Sequence, residues 1–121
     1  MKSKLFENAV FHYGWEVDDT ITFLGKEYNI TISAKAYFKS EGITVQQETA
    51  YLEFKNNKEQ ILKKIEKALQ SENAEKYIPK FLSIQKNGDT ALFFDDACNV
   101  EDGIVVCITP EIKLMDIDEY L

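Results

Sequence analysis

Few side chains in this sequence are equipped for chemistry, and most of those are acids. Asp95, Asp96, Glu101 and Asp102 crowd one short stretch. Clustered carboxylates can hold a divalent cation through oxygen, or act as general acid and base. The stretch lacks the alternating ligands, central glycine and closing glutamate of an EF-hand loop. An acidic turn in solvent also offers no desolvation to move a carboxyl pKa, so a solvated turn is the plainer reading. His12, the single histidine, lies among Phe11, Tyr13 and Trp15. A general base needs an oriented nucleophile, and the sequence holds neither a G-x-S-x-G elbow nor a Cys–His motif. Cys98 and Cys107 have no close sequence neighbour that would make a reactive thiolate. Without a secretory signal they are expected as free thiols, and one distant histidine leaves a zinc site incomplete. No catalytic residues, metal ligands or cofactor are assigned.

Charge is more informative. Residues 89–121 hold nine acids and one base, a net of −8. Residues 1–88 hold thirteen bases and twelve acids, a net of +1. The whole excess of negative charge therefore lies in the last third. Nucleic acid and anionic membrane both need positive charge at the contact, so neither is expected as a partner. Every base is lysine, which removes bidentate arginine recognition of phosphate or carboxylate. No apolar run reaches the roughly 18 residues of a membrane span. The N-terminal apolar run is broken by Glu7 and Asn8, unlike a signal peptide, and a cytoplasmic protein is expected. Tyr13 and Trp15 stand beside the acidic pair Asp18-Asp19, read as a turn. Trp15 is either an interface anchor or a cap on the core.

The elements that must position these residues centre on Thr44–Gln70. Ala50, Tyr51, Phe54, Ile61, Leu62, Ile65, Ala68 and Leu69 recur at helical spacing, with charged residues opposite. Thr44 with Gln47 has the form of a capping box, and Asn57 with Gln60 repeats it. Asn56-Asn57 is poor helix interior. The stretch is two helices, about 45–55 and 58–71, or one helix broken there. Before it, residues 4–13 form an edge strand or an entering segment. Residues 20–24 and 27–33 alternate around Gly25-Lys26, as in a β-hairpin. After it, strands are expected over 80–85, 90–94, 103–108 and 111–115, that at 103–108 central as the most apolar run. The composition fits one domain, 1–121, of the α+β class. Its mainly antiparallel sheet would have five to six strands packed against the central helix or helical pair.

Several short segments carry a resemblance. They are Gly14-Trp15-Glu16 before a strand ending at Leu24-Gly25, and the helical Gln46…Ala50-Tyr51…Phe54. Leu92-Phe93-Phe94-Asp95, an acidic turn and Gly103-Ile104-Val105-Val106 follow. In these the chain resembles a loosely defined family of small bacterial domains of unknown function. Some of its members look like immunity partners of polymorphic or contact-dependent toxins. The resemblance implies an α+β fold, no established catalytic residues, and a small, acidic, non-enzymatic inhibitor.

The function expected is a non-catalytic acidic protein-binding module. It would be an immunity or antitoxin protein that neutralises a basic toxin such as a nuclease. Asp95, Asp96, Glu101, Asp102, Asp116, Asp118 and Glu119 would face the partner, with Trp15 as anchor. The alternatives are a small-ligand or divalent-cation domain and a homo-oligomeric adaptor.

Overall fold

The computed structural model describes residue 6 and residues 8–12, 14–70, 74–98, 103–109 and 111–120, with the backbone alone at 118 and 119. The chain opens with β1 (Val10–Phe11), β2 (Gly14–Phe23) and β3 (Lys26–Lys35). Helices α1 (Val45–Asn56) and α2 (Lys58–Ala68) follow. Then come β4 (Tyr77–Ile84), β5 (Thr90–Asp96), β6 (Ile104–Cys107), β7 (Lys113–Asp116) and the short α3 (Ile117–Tyr120). The described strands form one seven-stranded sheet whose spatial order repeats the chain order, β1 to β7. This is the α+β class, with more strands than the five to six that the sequence indicates. The segment at 4–13 contributes a strand of only two residues, paired at Val10↔Glu16 and Phe11↔Trp15. Two residues are too few for alternation to signal a strand.

The hairpin forms where expected but is longer. β2 and β3 pair from Gly14↔Lys35 to Phe23↔Lys26. Asp18 and Asp19 thus lie inside β2 and not in a turn. Leu24 and Gly25 close the hairpin with φ of 51° and 77°. Two positive φ values mark a type I′ turn, whose twist matches the flanking strands. Glycine adopts that conformation freely and leucine does not. The amide of Leu24 donates to Glu66 Oε2 at 2.9 Å, which ties the turn to α2.

The helical stretch breaks at the asparagines. Thr44 accepts from the Gln47 amide, and the Gln47 side chain accepts from the Thr44 amide, completing the capping box. Asn57 does not repeat it: its side-chain amide donates back to the Glu53 carbonyl at 2.9 Å and makes no cap bond to α2. The apolar stripe of both helices buries Tyr51, Phe54, Leu62 and Ile65. These pack with Ile21, Phe23, Ile30, Ile32, Leu82, Ile84, Leu92 and Phe94 of the sheet in the main core. Each side chain of this size contributes ~1.5–3 kcal/mol on burial.

Because α1 and α2 connect β3 to β4, those two strands run parallel, from Thr31↔Phe81 to Ala34↔Ile84. A parallel pair requires such a crossover. The other strand pairs described are antiparallel. Pro79, which lacks an amide donor, sits in β4 where the register to β5 slips between Pro79 and Phe81. β6 is not central: it lies between β5 and the edge strand β7. It is apolar because both its faces are covered. Val106 joins the main core, while Val105 packs with Ala91 and Phe93 in a second cluster that includes Ile117 and Tyr120 of α3. There Phe93 stacks on Phe81 at 4.3 Å and meets Tyr120 edge-on at 5.4 Å.

Candidate functional site

A sheet that keeps chain order in space carries any sequence asymmetry with it. Strands β5, β6 and β7 and helix α3 derive from residues 90–120. Asp95, Asp96 and Asp116, with the backbone of Asp118 and Glu119, thus lie at one end of the sheet, while β1–β4 and their helices form the other.

The acids named from sequence do not all share one environment. Asp95 is half-exposed on β5, with Lys80 Nζ 3.8 Å from its carboxylate. Its neighbour Asp96 is 4% exposed. Asp96 accepts from the Cys98 amide at 2.8 Å and lies 3.6 Å from Lys76 Nζ, so it organises the strand end. Asp116 is exposed at the end of β7. Asp118 and Glu119 fall in α3. Glu101, Asp102 and Tyr13 lie outside the described residues. Trp15 is buried at 8% exposure and belongs to the core. No group of three or more potential metal ligands converges among the described residues.

The other candidate residues also have structural settings. His12 is exposed on the sheet's edge, its Nδ1 3.9 Å from Glu16. Both cysteines are free. Burial pushes the Cys107 thiol up, and its Sγ lies 3.4 Å from Met115 Sδ. Such a thiol is a poor nucleophile at neutral pH. Asp19 receives the Tyr51 hydroxyl at 2.8 Å and Lys58 Nζ at 2.7 Å, with Lys55 Nζ at 3.6 Å. Burial raises its pKa, but the hydrogen bonds from Lys58 and Tyr51 outweigh that and hold the carboxyl below its usual range. This cluster pins both helices to β2.

A cleft of about 940 Å³ opens at the carboxyl ends of the parallel pair. One wall is Lys35, Ala36 and Tyr37 after β3, with Gln85, Lys86 and Asn87 after β4. Asp89, in the same turn, and Cys107, Thr109, Glu111, Lys113, Met115 and Tyr120 complete the lining. Burial pushes the Tyr120 phenol up, and that hydroxyl accepts from Gln85 Nε2 at 3.2 Å. A cleft at the carboxyl ends of parallel strands is a common ligand position in α/β sheets.

From sequence, Ala34–Tyr37 could extend the second strand and Ser40-Glu41-Gly42 is a loop; β3 ends at Lys35, and residues 36–44 form a connection held by several hydrogen bonds. The Glu41 carboxylate accepts the amides of Tyr37 (2.6 Å) and Phe38 (3.0 Å) and binds Lys86 Nζ. The Glu41 carbonyl accepts the Trp15 indole at 2.8 Å. Lys86 Nζ also sits over the Tyr37 ring, 4.6 Å from its centre. The Lys86 carbonyl in turn accepts the Thr44 hydroxyl at 2.7 Å. From this frame Tyr37 projects 83% exposed and Phe38 68% exposed. Neither lies in a periodic run; two adjacent aromatics in a polar loop are the only sequence signal for them.

No helix among the described residues is long and apolar enough to cross a membrane. The chain matches no protein-family model, no curated protein and no solved structure.

Proposed function

We propose that this protein is a non-catalytic, acidic protein-binding module of the immunity or antitoxin kind, acting in the cytoplasm on a basic bacterial toxin such as a nuclease. The observation that supports this best is the strand order. Because it repeats the chain order, β5, β6, β7 and α3, which carry Asp95, Asp96, Asp116, Asp118 and Glu119, are neighbours at one end of the sheet. A concentrated field of one sign accelerates encounter with a target of the other sign and orients it on arrival. In this reading Asp95, Glu101, Asp102, Asp116, Asp118 and Glu119 supply the field. Asp96 and Trp15, both buried, act through the strand end and the loop that they hold. Nucleic acid and membrane are repelled by the same field.

The test is paired affinity capture from a lysate of the source cell. Wild type and the charge-reversed variant D95K/E111K/D116K serve as baits, at low and at physiological salt. A basic protein held by wild type and lost by the variant supports the proposal. Equal retention of the same proteins by both baits contradicts it.

A further inference from the structure

We propose that the loop bearing Tyr37 and Phe38 is the preformed anchor of the partner interface, receiving an apolar or aromatic side chain of a cationic protein at the cleft. The inference rests on the protein-binding reading above and assigns its contact surface to residues outside the acidic segment.

The argument begins with what holds the loop. Large aromatic side chains at 83% and 68% exposure gain little from folding where they stand. Yet their amides are fixed by one carboxylate, Glu41, which is itself held by Lys86 and, through its backbone, by Trp15. Ordering such a loop costs conformational entropy. A loop already ordered in the free protein does not incur that cost again on binding, and rigid exposed aromatics are the usual source of interface hot spots.

Charge identifies the occupant. Tyr37 lines the same cleft as Asp89 and Glu111, residues of the −8 segment. Within the cleft Lys86 is committed to Glu41, and Lys35 and Lys113 offset Asp89 and Glu111. The cleft itself is therefore close to neutral and suits an apolar side chain. The field that brings a partner there is that of the acidic end, so the partner is cationic. Aromatic anchors within a charged surround are the ordinary anatomy of a specific interface.

The test uses the full chain as target for a phage-displayed library of random peptides, selected at low and then physiological salt. Selected peptides are measured against wild type, Y37S/F38S and E41A. The double variant should melt with wild type, because both rings are exposed, and this is checked first. The expected peptides have a net positive charge and an aromatic or apolar residue. They should lose at least about tenfold in affinity on Y37S/F38S, the change that one anchor residue commonly makes. E41A, which keeps both rings but frees the loop, should lose an intermediate amount, with the loss in both variants falling mainly on the dissociation rate. Cationic peptides that bind all three proteins equally overturn this inference and leave the protein-binding reading standing. Peptides that need Tyr37 and Phe38 but carry no positive charge overturn the cationic partner in both. A wild-type dimer in solution that Y37S/F38S abolishes, or a selection that enriches nothing, also overturns the anchor.

Discussion

Trp15 donates its indole N–H to the carbonyl of Glu41 at 2.8 Å, joining residues 26 positions apart. The bond connects the core to the loop that displays Tyr37 and Phe38. Trp15→Phe keeps the apolar ring but removes the donor. We expect a loss of about 1 kcal/mol in urea unfolding, the usual net value of such a bond. The amides of Tyr37 and Phe38 should exchange with solvent deuterium faster than in wild type. Unchanged exchange would mean that the indole does not hold the loop.

The same loop should respond to acid. The hydrogen bond from Lys86, with those from the Phe38 and Tyr37 amides, holds the Glu41 carboxyl below its ordinary 4.5. A lowered folded pKa means that the bonds are intact above 4.5 and are lost as pH falls through the lowered value. Amide resonances of Tyr37 and Phe38, followed by NMR, should shift with a midpoint below 4.5. A midpoint at or above it contradicts the network.

Asp19 joins β2 to both helices, and its loss should cost more than that of a surface ion pair. Asp19→Ala leaves the Tyr51 hydroxyl and Lys58 without their acceptor. The expected cost is ~2–3 kcal/mol at neutral pH by urea denaturation. The folded pKa lies below the ordinary 3.8, so this contribution is full above 3.8 and fades as pH falls through the lowered value. Wild type and variant should therefore converge in stability under strong acid. A constant difference from neutral to acid pH would show that the carboxylate's charge is not the source.

Gln47 is 1% exposed and spends its side-chain amide on two carbonyls, Lys35 at 3.0 Å and Ile84 at 3.1 Å. One residue thus satisfies the ends of both parallel strands and half of the capping box. Gln47→Leu has a similar volume but leaves those carbonyls unpaired, and should cost ~2–4 kcal/mol. A neutral outcome would show that water takes over both acceptors.

Leu24 invites the opposite change. With φ at 51° it holds a conformation that costs a side chain with a Cβ about 1–2 kcal/mol, and it is 44% exposed. Leu24→Asn creates the Asn-Gly pair that this turn prefers. It should raise stability by ~0.5–1 kcal/mol, seen as a higher melting temperature; a lower one would mean that the leucine's apolar contact outweighs the strain.

The legible parts of the fold are those encoded locally. The hairpin shows in alternation around Gly25, and the helix pair in its stripe, its Thr44–Gln47 box and the Asn56-Asn57 break. What is hidden depends on distant partners. Asp18-Asp19 reads as a turn because acids are rare in strands. Asp19 is tolerated in β2 because Tyr51 and Lys58, 32 and 39 positions away, satisfy it. The run at 103–108 reads as central because periodicity cannot say what covers a strand; α3 covers one face of β6. At the candidate site, the acidic excess is plain in sequence. That the strands carrying Asp95, Asp96 and Asp116 are neighbours follows from the strand order, which no local pattern reveals. Tyr37 and Phe38 were silent because exposure, and not residue type, makes them notable.

The most direct measurement is the association rate of the captured basic protein with wild type and D95K/E111K/D116K as ionic strength is varied. Steered association is fast at low salt and falls steeply as salt screens it. The account predicts that behaviour for wild type, and a slower rate with a shallow salt dependence for the variant. A wild-type rate indifferent to salt, or equal to that of the variant at low salt, would contradict the acidic end as the surface that draws the partner in.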